Sequence, residues 1–160
     1  MADTTKKTIV VFSGDMDKVL AAFVIANGAA AMGDDVTMFF TFWGLNALRK
    51  PEKVKTAGKS FLQKMFATMM PRGPGKLHLS TMNFGGMGPN LMKRVMHQQN
   101  VQSLEDLIAT AREQGIKMEA CTMSMDVMGL KQEELIEGLE FVGVASYLAE
   151  ADEANVNLFV

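Results

Sequence analysis

Cys121 is the one cysteine of the 160-residue chain, and it stands in the run KMEACTMSMDVMGL, Lys117 to Leu130. Thiolate is the nucleophilic form of cysteine, so a lone thiol becomes chemically useful where its surroundings favour that form. Ile116 to Ala120 reads as a strand that carries Cys121 to the carboxyl edge of a sheet, where open α/β proteins bind ligands. A helix beginning near Thr122 would aim its free N–H groups at the sulfur and favour thiolate. The hydroxyls of Thr122 and Ser124 are placed to add hydrogen bonds. The competing reading is a packed, inert cysteine, because free cysteines are among the most buried residues.

Other side chains offer weaker chemistry. His78 and His97 are the only histidines, and neither spacing marks a base or a ligand. Cys121, Met123 and Met125 are soft donors of the kind that select Cu(I), but alternate positions point different ways on a strand or a helix. Zinc wants four nitrogen or sulfur ligands, so no metal site is expected. Ser13-Gly14-Asp15 follows the first strand, a place where α/β proteins put a binding turn. It is neither GxGxxG nor a Walker loop. Gly85-Gly86-Met87-Gly88 lacks the Lys-Ser/Thr of a phosphate loop, and a plain turn suits both segments better.

A nucleophile at a strand end requires a sheet behind it. Thr8 to Phe12 is a β-branched and aromatic run of the kind buried on both faces. Met16 to Met32 is apolar at helical spacing, with Asp15 or Asp17 as its cap and Gly33 as its stop. Val36 to Phe40 is the second strand, so the first forty residues predict a parallel βαβ unit. From about Phe42 to Asn90 the pattern loosens into an irregular insert. A helix is expected there over Ser60 to Met70, a short strand over Leu77 to Leu79, and a breaker at Pro71 to Gly75. Helices follow over Pro89 to Gln98 and from a Ser103 cap to Gln114, with Asp106 as capping-box partner. After the cysteine strand come helices over Met123 to Met128 and Lys131 to Leu135. A strand at Leu139 to Val142, a helix at Gly143 to Ala151 and a last strand at Asn157 to Val160 complete the chain. The alternation predicts an α/β fold, single-domain and doubly wound, with a mostly parallel sheet and helices on both faces over residues 1–160.

A net charge of −2 gives no basic footprint overall, which argues against nucleic acid as partner. One cysteine makes no intramolecular disulfide, and a reduced cytoplasmic setting fits. The opening MADTTKKTIV lacks the apolar core of a signal peptide. No tract reaches the roughly 20 apolar residues that a membrane span needs. Fifteen methionines are many for this length and read mainly as adaptable core filling.

The run Ala120 to Gly129, ACTMSMDVMG, resembles the cysteine motif of the DsrE/DsrF-like family, in particular its DsrE2-type branch. SGDMDK (Ser13 to Lys18), TMFFTFWGL (Thr37 to Leu45) and the ending from Gly138 to Val160 are similar to the same branch. The resemblance implies a sulfur-relay protein whose cysteine takes sulfane sulfur as a persulfide and passes it on. By that carry-over Cys121 bears the sulfur, with no cofactor. The resemblance also implies a homo-oligomer, a trimer or hexamer, working beside rhodanese-like donors and TusA-like carriers. An apolar pocket of Met123, Met125 and Met128 with Phe42 and Trp43 is expected to shield the persulfide. Ser13, Gly14, Asp15, Thr122 and Ser124 complete the expected binding set. A non-catalytic oligomeric module for a nucleotide or small metabolite, a thiol peroxidase and a Cu(I) site stay open as alternatives.

Overall fold

The computed structural model describes residues 4–160. The β-branched run forms β1 (Lys6–Val11), and α1 (Met16–Ala31) returns the chain to β2 (Asp35–Phe40). A 3-10 helix over Phe42–Leu48 and α2 (Phe61–Met69) begin the irregular region, and α3 (Met87–Gln98) ends it. Then come α4 (Leu104–Glu113), β3 (Lys117–Cys121), α5 (Thr122–Met128), β4 (Glu140–Val142), α6 (Val144–Glu153) and β5 (Val156–Phe159).

The five strands are ordered β4-β3-β2-β1-β5, and every adjacent pair is parallel. This order explains the two-sided architecture. The steps from β1 to β2 to β3 to β4 all move in one direction across the sheet. The step from β4 through α6 to β5 moves back across it. Parallel crossovers are right-handed, so reversing the direction places the connecting helix on the opposite face. The doubly wound α/β expectation is met.

Side-chain alternation divides the strands between the faces. Ile9, Val11, Met38, Phe40, Met118 and Ala120 enter the main core with Val19, Ala22 and Phe23 of α1 and Leu104, Leu107 and Ala111 of α4. The Phe23 and Phe40 rings meet there at 5.9 Å. Val10, Phe39 and Cys121 point the other way and pack with Tyr147 of α6 in a second, much smaller cluster. One ten-residue helix covers that face, and at its edge Phe159 stays 71% exposed.

Local chemistry explains most element ends. Ser103 Oγ accepts from Asp106 N at 3.1 Å while the Asp106 carboxylate accepts from Ser103 N, so the box forms even with Asp in the Glu position. Asp15 holds the N-cap position of α1, but its side chain caps nothing and pairs with Lys18 at 3.3 Å. Asp17 instead accepts from the backbone N–H of Ser80 at 2.9 Å. Two sequence expectations need correction. Leu77 to Leu79 is not a strand, although Leu77 and Leu79 are buried, and the chain there runs as an irregular segment packed on the core. Lys131 to Leu135 narrows to a 3-10 turn at Gln132–Glu134, fixed by the Glu134 carboxylate accepting from Lys131 N at 2.8 Å.

Candidate functional site

The parallel register sets the end of β3 level with the ends of its neighbours: Phe40 pairs with Ala120, and Cys121 with Val142. Cys121 is the last residue of β3 and the N-cap residue of α5, with extended backbone at φ −70° and ψ 114°. Strand alternation turns its sulfur to the α6 face. There it is 2% exposed and lines a cavity of about 400 Å³. The cavity walls come from Val10, Phe39, Thr41, Met123, Val144, Tyr147, Asn157, Leu158 and Phe159. Met123, Val144 and Phe159 are solvent-exposed and form its rim, so the buried sulfur faces a space with an exposed border.

Tyr147 is the pillar of this site. Its ring stacks on Phe39 with centroids 4.8 Å apart and planes inclined by 21°. Its hydroxyl lies 3.2 Å from Thr8 Oγ1 within the buried face. Thr41 Oγ1 and Ser124 Oγ meet at 2.7 Å, which ties the turn after β2 to the first turn of α5 beside the cysteine.

The expected site residues are distributed over three places. Cys121 and Met123 line the cavity. Ser124 is fully buried next to it, engaged with Thr41, and Thr122 is exposed with its hydroxyl donating weakly to Val142 O at 3.4 Å. Met125 and Met128 face away, into the main core, on the side where α5 packs against α2 and the 3-10 helix Phe42–Leu48. The reason is angular: residues two apart on a helix point in nearly opposite directions, so Met123 and Met125 cannot share a wall once α5 starts at Thr122.

Ser13, Gly14, Asp15, Phe42 and Trp43 form a separate cluster. A side-chain carbon on Gly44 would sit 2.1 Å from Val11 O, and one on Gly14 would sit 2.8 Å from Trp43 O. Glycine at both positions lets the turn after β1 and the turn after β2 touch. Phe42 adopts φ 45°, a costly conformation for an aromatic residue. Its ring lies 5.7 Å from that of Phe12, which in turn lies 5.7 Å from that of Phe159 on the cavity rim. The expected Phe42–Trp43 wall is thus one ring removed from the cavity.

Sequence reasoning missed Thr41, Tyr147, Phe39 and Val10. Their marks were present: Tyr147 is the single tyrosine, Thr41 lies inside the TMFFTFWGL run, and residues 10 and 39 sit on the same strand parity as their neighbours 8 and 37. What was lacking was the knowledge that α6 returns over this face.

A charged network lies on the same face, toward the other end of the strands. Glu119, 1% exposed, sits 3.2 Å from Lys117, which also pairs with Glu140 and Glu150. Burial pushes the Glu119 carboxyl above its ordinary range, outweighing the hydrogen bond from Lys117 that lowers it. Burial acts in the same sense on Glu150, but hydrogen bonds from Lys117 and Thr37 overcome it and hold that carboxyl below its usual range. Lys117 is held well above its usual value, chiefly by its hydrogen bond to Glu150. Among the described residues no three His, Cys, Asp or Glu side chains gather as a metal-ligand group. Neither histidine lines the cavity.

The family model described as the DsrE/DsrF/DrsH-like family matches residues 4–159. The chain belongs to that family. It is 56% identical, over the full length of both chains, to the uncharacterized protein YrkE of Bacillus subtilis (strain 168). It is 32% identical to the sulfur carrier protein DsrE2 of Allochromatium vinosum, with 97% of this chain and 98% of that one covered. Among solved structures it is similar to the ychN protein of E. coli, with TM-score 0.56, 11% identity and coverage of 98% and 100%. It is also similar to MTH1491 of Methanobacterium thermoautotrophicum, a protein of unknown function, with TM-score 0.58, 13% identity and coverage of 98% and 99%. These two likenesses concern the fold.

Proposed function

We propose that the protein is a sulfur carrier that holds sulfane sulfur on Cys121 as a persulfide and hands it to an acceptor protein. The observation that supports this reading above others is the position of Cys121. It is the chain's one thiol, at a strand's carboxyl end, facing an apolar cavity with an exposed rim. Family membership and the relative named as a sulfur carrier point the same way.

The chemistry needs one cysteine on this chain. In the loading step the Cys121 thiolate attacks the outer sulfur of a donor persulfide, R–S–SH. A new S–S bond forms on Cys121, the donor S–S bond breaks, and the donor leaves as R–S⁻ while the proton stays on the transferred sulfur. In the unloading step an acceptor thiolate attacks that outer sulfur, and Cys121 departs as thiolate. No external oxidant or reductant is consumed. The walls of Phe39, Tyr147, Val10 and Leu158 give the persulfide an apolar setting, and Met123, Val144 and Phe159 leave room for a partner's cysteine at the rim.

A single-turnover relay assay tests both steps. Wild-type protein takes sulfur from an excess of donor persulfide, is freed of donor by gel filtration, and transfers it to a thiol acceptor. Cys121→Ser does neither. Sulfur delivery by Cys121→Ser at the wild-type level would remove the proposal.

A further inference from the structure

The net charge of −2 conceals a strong internal division. Residues 49–94 carry ten of the sixteen lysines and arginines and, with Glu52, one of the eighteen acids. Much of that positive charge converges. A cleft of about 580 Å³ between the loop at residues 53–59, α2 and the turn after it is lined by Lys53, Lys55, Lys59, Lys64, Arg72 and Glu134. Its volume lies within the range of small-ligand sites, roughly 300–1,000 Å³.

The one carboxylate in this cleft is already committed. Buried Glu134 accepts from buried Lys59 at 2.6 Å and from Lys131 N at 2.8 Å, with the Arg49 guanidinium 4.0 Å away. Among the described residues Lys53, Lys55, Lys64 and Arg72 have no carboxylate partner. Glu134, already faced by Lys59 and Arg49, has no negative charge left to offset these four cations. The crowding is felt by Arg49, which is lowered to about 10, first by burial and then by the charge of Arg72.

From this arrangement we infer that the cleft over the Lys59–Glu134 pair binds a small, multiply charged phosphate-type oxyanion. Several cations approaching from three sides match an anion of more than one charge. The planar fork of Arg72 suits phosphate oxygens in a bidentate way, and Thr56 lines the same cleft with a further hydroxyl group, while the Thr68 hydroxyl is spent on the Lys64 carbonyl at 2.8 Å. No aromatic side chain lines it, so a nucleobase would find no stacking surface there. The cleft shares no lining residue with the Cys121 cavity, so this site stands apart from the sulfur proposal.

Pyrophosphate titration of the full chain at constant ionic strength tests it, with vesicle co-sedimentation as a second arm to separate a free phosphate from a lipid headgroup. Wild type is expected to bind pyrophosphate saturably, and Lys64→Gln/Arg72→Gln to bind it at least about tenfold more weakly, the loss that two charge-assisted contacts represent. Lys53→Gln/Lys55→Gln, confined to an exposed loop, is expected to weaken binding in the same sense with melting temperature unchanged. Retention on phosphatidylglycerol vesicles but not on phosphatidylcholine, lost in both double variants, would support the same site with a headgroup as its occupant. Indifference of both probes to both double variants would overturn the inference. An equal loss in Lys76→Gln, on the same segment but outside the cleft, would overturn it too, by showing diffuse charge attraction.

Discussion

At the scale of single residues, the sulfur proposal joins two facts about Cys121 that pull apart: it is almost wholly buried, yet it borders a cavity with an exposed rim. Met123 stands at that rim and contributes flexible bulk. Iodoacetamide is therefore expected to modify native wild type slowly and Met123→Ala severalfold faster, read by mass spectrometry over time. Equal rates would mean that Met123 does not gate the sulfur. Glu119 supplies a second test. Its pKa is raised on folding, so its contribution to stability is fully present below its ordinary value of 4.5 and is lost as pH rises through the higher folded value. Glu119→Gln removes that titration. Its stability relative to wild type is expected to improve steadily between acid and neutral pH in denaturant unfolding. A constant difference would contradict the assigned cause. The cysteine and Met123 were legible from sequence because strand run and helix start are local patterns. Tyr147 was not, because its place beside the sulfur depends on which face α6 covers, and Thr41 was not, because its place depends on β2 pairing with β3.

At the scale of elements, the irregular region between β2 and α3 is held by a few specific contacts rather than by periodic packing. Arg49 is the chief one. It is 1% exposed, and its guanidinium donates to the carbonyls of Ala67, Met70 and Pro71 at 2.9, 3.3 and 3.2 Å, satisfying the end of α2. Arg49→Met strands those carbonyls and reduces the charge facing Glu134. It is expected to cost about 3 kcal/mol, measured by chemical denaturation. A loss below about 0.5 kcal/mol, typical of surface changes, would contradict the anchoring role. These contacts also explain what the sequence left obscure. Regular strands and helices announce themselves by period, whereas a buried arginine under a helix end has no periodic mark. Leu77 to Leu79 shows the converse: alternating buried leucines suggested a strand, but no neighbouring strand extends to meet them, so burial occurs without a ladder.

At the scale of the whole molecule, strand order was the decisive unknown. The alternation of strands and helices implied a parallel sheet, but only the placement of β5 beside β1 sends α6 to the cysteine's face. We propose that the chain folds as one domain. Calorimetry is expected to give one cooperative unfolding transition, and two separated transitions would count against that. We further propose self-association. Phe61, Leu62 and Met69 of α2, with Met82, Phe84, Met87 and Leu91 beyond it, are all exposed large apolar side chains, and concentrations of such surface mark interfaces. Light scattering is expected to report an oligomer, reduced to smaller species by Phe61→Glu/Leu62→Glu. A monomer at every concentration would contradict it. No helix among the described residues is long and apolar enough to cross a membrane.

The most direct test of the central claim is the intact mass of the protein after exposure to a sulfane-sulfur donor. Wild type is expected to gain the mass of one sulfur atom, lost again on adding a reductant, while Cys121→Ser under the same conditions gains none. An unchanged wild-type mass, or the same gain in Cys121→Ser, would contradict the assignment of Cys121 as the residue that carries sulfur.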